Sequence, residues 1–297
     1  MTTTANQNHN RQSRTLPGPW LLTGALCPAQ SPFAPLLFAG RLDEGITALA
    51  ELGYDAIELS LREPQELDVE GLQLRLSQLG LTVSSLGTGR MFYEQGLSFT
   101  SPVEEVRQQA AERLLEHLEL AARLGAAVTV GGARGTLPRN DPAEAARLRK
   151  ISAELVHKIG ERADQLGVTL LVEPINRYET NFINTTEDGL RFLDEAGLPN
   201  ARLLLDTFHM NIEEVSLAEA ISMAGDRLGY VHLADSNRQV PHSGHTDLAG
   251  VLHALAEIGY RGYLGMEVVP LPDDYTAAQR GVENTSRLIR EHIASQP

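Results

Sequence analysis

Four apolar runs in the second half of this 297-residue chain each stop at a side chain of the kind that ligates metal ions. The segments read LLVEP with Glu173, LLLDTFH with Asp206, YVHLAD with His232 and GMEVV with Glu267. The intervals between them are 33, 26 and 35 residues, the length of one strand plus one crossover helix. Parallel strands built from such units all point the same way, so ligands at their ends converge. In a closed barrel of these units, the strand ends form the active-site face.

Punctuation along the chain repeats that unit. An aliphatic residue followed by glycine occurs at Leu52-Gly53, Leu79-Gly80, Leu124-Gly125, Leu166-Gly167 and Ile258-Gly259, with Ala196-Gly197 as a weaker copy. Glycine just past a helix adopts the left-handed conformation that closes it. Each copy precedes an apolar run of strand character, at 56–60, 82–87, 126–132, 168–173, 201–206 and 262–269. Runs at 20–26 and 228–234 bring the number to eight. They are apolar nearly throughout rather than alternating, as expected of strands covered on both faces. Helix starts are legible too. Ser101-Pro102-Val103-Glu104 and Asp141-Pro142-Ala143-Glu144 both have the form of a capping box with proline at the first helical position. The helix after Ser101 places Val106, Ala110, Leu114, Leu118 and Ala121 on one stripe. These features predict an α/β fold: a single (β/α)8 TIM barrel of eight parallel strands over residues 17–297. Residues 1–16 are polar, lack the apolar middle of a signal peptide and are expected to form a disordered tail.

Composition narrows the function. A formal net charge of −14 opposes a nucleic-acid surface, which needs a basic face. No apolar stretch is long enough to span a membrane. The single cysteine, Cys27, excludes an intramolecular disulfide and fits a reducing, cytoplasmic setting. The four strand-end residues offer three carboxylates and one imidazole. That donor set suits one divalent ion of the Mn²⁺, Co²⁺ or Mg²⁺ type better than structural zinc, which favours thiolate and imidazole. A single strand-end carboxylate often only caps a helix, and a single histidine is usually a satisfied core residue. Four on successive strands need a shared partner, because buried unpaired carboxylates are costly and a cation offsets that cost.

The segments VEPINRYET at 172–180, LDTFHMNIEE at 205–214 and HLADSNR at 232–238, followed by Gly244-His245, Asp247 and Met266-Glu267, carry a resemblance. They are similar to the sugar isomerase/epimerase superfamily of xylose-isomerase-like barrels, and within it to the D-tagatose 3-epimerase group. The pattern most resembles the 5-keto-L-gluconate epimerase branch, through GTGR-x5-GLS at 87–98, GGARG at 131–135 and NRYETNFINT at 176–185. The resemblance covers nearly the whole barrel. It implies that Glu173, Asp206, His232 and Glu267 bind the metal, with Mn²⁺ first among the candidates. It implies that Glu173 and Glu267 are also the acid/base pair, and that Glu179, His209 and Arg238 contact substrate. The implied activity is that of a metal-dependent ketose 3-epimerase acting on a keto-sugar or a keto-sugar acid of the 5-keto-L-gluconate or D-tagaturonate type. A homodimer or homotetramer is implied as well.

The chemistry explains the residue types. Inverting a hydroxylated carbon beside a ketone requires removal of a weakly acidic C–H proton, and the resulting enediolate needs charge stabilisation. A cation bridging O2 and O3 supplies it as a Lewis acid. A carboxylate on each face of C3 lets a proton leave one side and return on the other. His209 and Arg238 would add donors at the enediolate oxygens. The simpler roles are support of Asp206 for His209, and a loop ion pair for Arg238.

Arg90 and Arg134 follow the third and fourth runs and could reach the barrel mouth. An Arg fork there would pair with a substrate carboxylate or phosphate, so Arg134 is counted among the substrate-binding residues, a rim ion pair being the simpler role for both. His242 and His245 lie in the loop PHSGHTD, Asp247 reads as a helix cap, and Cys27 as a small buried residue. Two departures from the neutral-sugar epimerase pattern favour a keto-sugar acid: Ala234-Asp235 stands where Gly-Glu is usual, and Val268 where proline is usual. Other classes share the scaffold. An aldose–ketose isomerase of the hydroxypyruvate or sugar-isomerase kind would move the proton between C1 and C2 at the same site. A metal-dependent hydrolase of the apurinic-site endonuclease kind needs more histidine ligands and a basic groove. Here His117, His157, His253 and His292 fall in predicted helices, His9 in the tail, and the net charge has the wrong sign. A non-catalytic sugar-binding protein has no need of bases on both faces.

Overall fold

A computed structural model describes residues 16–32 and 35–293. Eight strands, β1 (Leu21–Leu26), β2 (Ala56–Ser60), β3 (Thr82–Gly87), β4 (Ala127–Val130), β5 (Leu170–Val172), β6 (Arg202–Asp206), β7 (Leu228–His232) and β8 (Tyr263–Met266), close into a barrel in chain order. Every pairing is parallel, and β8 returns to β1 with Leu21 opposite Tyr263. The strands are short and buried almost throughout, all five residues of β2 included. Outward side chains meet the helices and inward ones fill the barrel, which is why the runs do not alternate. Trp20, just before β1, is buried and donates from its indole nitrogen to the carbonyl of Tyr260 at 2.9 Å, tying the seam between first and last strands.

Among the described residues, ten α-helices lie between and after the strands: α1 (Leu42–Leu52), α2 (Val69–Leu79), α3 (Gly89–Tyr93), α4 (Glu104–Leu124), α5 (Pro142–Leu166), α6 (Thr186–Glu195), α7 (Thr207–Glu213), α8 (Leu217–Ala224), α9 (Leu248–Glu257) and α10 (Asp274–His292). Gly53, Gly80, Gly125 and Gly167 close α1, α2, α4 and α5 in the left-handed conformation, so the repeated aliphatic–glycine signal marks real helix ends. On α4, Ala110, Leu114, Leu118 and Ala121 are fully buried and Val106 packs at the core's edge. Asp141 caps α5 by accepting from the Glu144 amide, with Pro142 at the first turn. The equivalent expectation at Ser101 is corrected. The Ser101 hydroxyl accepts from the Val103 amide, and α4 starts only at Glu104 with no side-chain cap. A two-residue turn displaces the helix start. The one capping box formed among the described helices is at Thr185 with Asp188.

The first 15 residues of the expected tail lie outside the described residues, while Leu16, its last, is buried against the core. Among the described residues, no helix is long and apolar enough to cross a membrane. Two short helices, α3 and α7, begin within two residues of a strand end and sit on the C-terminal face of the barrel. They, and the loops after β5 and β7, carry the residues that surround the ligand cluster.

Candidate metal and catalytic site

Asp206 and His232 are the last residues of β6 and β7, and Glu173 and Glu267 are the first residues after β5 and β8. The strands stop where these side chains must turn inward, which is why several ladders are shorter than the apolar runs. One ligand atom from each of the four lies within 4.8 Å of every other. His232 Nδ1 stands 3.8 Å from Glu267 Oε2, 3.9 Å from Asp206 Oδ2 and 4.0 Å from Glu173 Oε1. Those separations are too long for hydrogen bonds, but they match ligands that share an ion roughly 2.1–2.3 Å away. Asp206 uses Oδ1 to cap α7, accepting from the Phe208 amide at 2.8 Å. Its Oδ2 and His232 Nδ1 are buried with no hydrogen-bond partner among the described residues. Two orphaned atoms aimed at one point, beside two more carboxylates, fit a single divalent cation.

The electrostatics lead to the same place. Burial, then the charge of Glu267, push the Glu173 carboxyl up to about 8. Burial likewise raises Asp206 to about 6. Burial disfavours the His232 imidazolium, but Glu58 and Glu267 outweigh it and hold that ring at about 10. Without a cation the cluster therefore retains protons that ordinary carboxylates and imidazoles give up. A bound divalent ion would replace them.

A second ring of side chains surrounds the cluster. Arg238, in left-handed backbone conformation after β7, donates to Glu267 Oε2 at 3.0 Å and Glu179 Oε1 at 3.3 Å, and its guanidinium lies over the Phe208 ring. Asn176 Nδ2 donates to Glu179 Oε1 at 2.9 Å and to His209 Nδ1 at 2.8 Å. The Tyr178 amide donates to Asn176 Oδ1 at 3.0 Å, which fixes the orientation of that amide. His209 is held well below its usual range by burial and by Arg238, so its ring is neutral. With Nδ1 accepting from Asn176, the proton sits on Nε2, 3.8 Å from Asp206 Oδ2 and 3.9 Å from Glu173 Oε1. His209 is thus a neutral donor beside the cluster. The cavity above measures about 440 Å³ with its open mouth and is lined by Glu173, Glu179, His209, Arg238, Glu267 and Tyr93 among others.

The structure brings Glu173, Asp206, His232, Glu267, Glu179, His209 and Arg238 together. It does not place Arg134 with them. Arg134 is fully buried off the cavity, and its fork holds four backbone carbonyls: Phe182 at 2.6 Å, Gly131 at 3.0 Å, Glu173 at 2.5 Å and Ile183 at 3.0 Å. The expected substrate contact from Arg134 is corrected to a backbone clamp. It pins the first residue after β5 and the strained, left-handed Ile183 at the far end of the same loop. Arg90 follows the simpler reading, as a buried partner of Glu94 and Glu66. Asp247 caps α9, and Cys27 is buried against Ala25 and Leu36. His242 lines a separate surface pocket with Asp235 and Asp247. Asp235 accepts from the amides of Ser236, Ser243 and Thr246, so the departure at that position organises the loop after β7.

Sequence reasoning missed Glu58, Asn176, Tyr93 and Gly131. Glu58 accepts from His232 Nε2 at 3.0 Å, and Tyr93 donates to Glu179 Oε2 at 2.9 Å. At Gly131 a Cβ would stand 2.7 Å from Glu173 Oε2, so only glycine leaves that carboxylate its place. A charged residue inside the apolar run AIELS was the one available signal for Glu58.

Residues 46–288 match the family described as Xylose isomerase-like TIM barrel. The chain belongs to that family. Among relatives of this xylose-isomerase-like barrel, the L-ribulose 3-epimerase of Methylomonas sp. (strain DH-1) is 35% identical over 225 residues, covering 75% of this chain and 77% of that one. The 3-dehydro-D-guloside 4-epimerase of Escherichia coli (strain K12) is 28% identical over 236 residues, covering 77% and 88%. A crystal structure of D-allulose 3-epimerase from Methylomonas sp. superposes with a TM-score of 0.76 at 29% identity, covering 91% of this chain and 99% of that one.

Proposed function

We propose that this protein is a divalent-metal-dependent isomerase that inverts C3 of a ketose by proton transfer between two glutamates. The observation that carries the reading is the pair Glu173 and Glu267, from strands on different sides of the barrel mouth, meeting at one four-ligand cluster beneath the cavity. The naming of relatives as ketose 3-epimerases supports it. A cation held by Glu173, Asp206, His232 and Glu267, Mn²⁺ being our first choice, would supply Lewis acidity to the developing oxyanion. The remaining work falls to this chain's own groups. One glutamate takes the C3 proton and the other returns one to the opposite face. Neutral His209 offers its Nε2 proton to a substrate oxygen. Arg238 orients Glu267 and Glu179, and Asn176 fixes both Glu179 and the His209 tautomer.

The lining bears on the substrate. With Arg134 turned to the backbone, Arg238 is the one arginine among the described lining residues, and it already pairs Glu179 and Glu267. That arrangement favours an uncharged ketose over a keto-sugar acid of the 5-keto-L-gluconate type. A homodimer or homotetramer in a cytoplasmic setting belongs to the same reading. The test is product analysis. Metal-loaded protein is incubated with ketopentoses, ketohexoses and keto-sugar acids, and the products are resolved by chromatography. We expect C3 epimers, fastest from uncharged ketoses, with activity abolished by a chelator and restored by Mn²⁺. Aldose products would instead assign an aldose–ketose isomerase.

A further inference from the structure

Behind the ligand His232 lies a polar chain that the reaction as described does not use. Glu58, the middle residue of β2, points into the barrel and is 3% exposed. Its Oε2 is 3.0 Å from His232 Nε2. Tyr230 lies two residues before His232 on β7, so both side chains face inward. The Tyr230 hydroxyl lies beside the Glu58 carboxylate and 2.8 Å from Ser84 Oγ, to which it donates. Ser84 Oγ in turn is 2.9 Å from Thr23 Oγ1 and donates to the Ile57 carbonyl at 3.1 Å. Strands β1, β2, β3 and β7 thus place a buried polar cluster behind the imidazole, with Glu58 as the member that touches it. On the far side Gly265 leaves room for the ring, since a Cβ there would stand 2.8 Å from His232 Cδ2.

A neutral imidazole carries its proton on one nitrogen, and which one is set by the partner of the other. Here Nε2 has a carboxylate partner and Nδ1 has none among the described residues. We propose that Glu58 is a positioning residue for the cation: by accepting the Nε2 proton it fixes the tautomer and ring orientation that present the Nδ1 lone pair to Glu173, Asp206 and Glu267. The Tyr230 hydroxyl, hydrogen-bonded to Ser84, packs beside that carboxylate. The inference rests on reading the four-residue cluster as a cation site. It concerns the binding of the ion and makes Glu58 neither a ligand nor a proton carrier in the reaction.

The experiment measures Mn²⁺ affinity and fold stability separately. Wild type, Glu58→Gln, Glu58→Leu and Tyr230→Phe are stripped with a chelator. Their Mn²⁺ dissociation constants are then read from the electron-paramagnetic-resonance signal of free Mn²⁺, and metal-free unfolding is followed by circular dichroism. We expect Glu58→Gln to weaken binding about 10-fold and Glu58→Leu about 100-fold, with Tyr230→Phe weaker by a few-fold. Metal-free Glu58→Gln should unfold close to wild type. A buried residue with only a structural role would lower the unfolding temperature and leave the affinity of the folded protein alone. The inference is overturned if Glu58→Gln and Tyr230→Phe both bind Mn²⁺ within twofold of wild type, whether or not Glu58→Leu folds. If wild type itself binds no Mn²⁺, the cation reading falls and takes the inference with it.

Discussion

The last four strands of the barrel carry Glu173, Asp206, His232 and Glu267, whereas the first four carry no member of that cluster. The first half instead contributes groups that touch those of the second. Glu58 accepts from His232, Arg134 clamps the Glu173 carbonyl, Gly131 makes room for the Glu173 side chain, and Tyr93 donates to Glu179. One half presents reactive groups and the other fixes where they point. Glu58 and Glu173 show the difference most sharply, being two buried glutamates in one barrel. Burial raises the pKa of both, but His232 beside Glu58 more than reverses that and holds it low, while Glu267 beside Glu173 adds to the rise. Identical side chains become a fixed anion and a proton-holding group through their neighbours alone.

The comparison breaks first at its reactive half. Glu173→Gln or Glu267→Gln keeps the side-chain shape and removes a base. Each should lower kcat/KM by roughly 10²–10⁴-fold with the circular dichroism spectrum unchanged. A variant retaining a tenth of wild-type activity would remove that residue from the acid/base pair.

The pH dependence of metal stabilisation should be next in size. In the metal-free protein Glu173 and Asp206 are raised to about 8 and about 6 from ordinary values of 4.5 and 3.8. The folded state therefore holds these protons more tightly than the unfolded chain, and stability falls as pH climbs from about 4 through about 8. His232, raised to about 10, extends the loss above its ordinary 6.5. Glu58 is lowered, so it acts with the opposite sign, but only below its ordinary 4.5. A bound cation relieves the carboxylate crowding. The gap in Tm between Mn²⁺-loaded and chelated protein should widen from about pH 5 to about pH 8, by several kcal/mol when converted to free energy. A constant gap would mean that the cluster does not bind the ion.

Arg134→Met tests the supporting half. It strands buried carbonyls of Phe182, Glu173 and Ile183 and should cost about 3 kcal/mol in urea unfolding. The ratio of rates on uncharged ketoses and keto-sugar acids should not move, because the guanidinium does not face the cavity. A selective loss on the acids would restore Arg134 as a substrate contact. Asn176→Ala frees the His209 tautomer and should lower kcat about 10-fold, equivalent to about 1.4 kcal/mol, with a smaller change in KM. Asp247→Ala removes the cap of α9 and should cost about 1 kcal/mol of stability, with kcat/KM unchanged.

The two halves also differed in how much their sequence disclosed. Glu173, Asp206, His232 and Glu267 were legible because a ligand-type side chain at the end of an apolar run is conspicuous, and because three intervals each the length of one strand–helix unit imply convergence. The eight strands and the glycine-closed helices followed from periodicity and left-handed caps, which are local properties. Glu58 was hidden because its partner lies 174 residues away, and only barrel closure brings β2 against β7's ligand. Arg134 was misjudged for the complementary reason. Its position after β4 is right for the mouth, but the direction of its side chain is set by loop carbonyls between 173 and 183. The start of α4 failed at Ser101, where a turn and a capping box have the same letters.

The most direct measurement is deuterium wash-in during one partial conversion of a ketose in D₂O, with recovered substrate and product compared by NMR. With Glu173 and Glu267 working on opposite faces of one carbon, deuterium should enter the product at C3 while recovered substrate stays nearly unlabelled. Label at C1 or C2, or equal label in substrate and product, would contradict the paired-glutamate account.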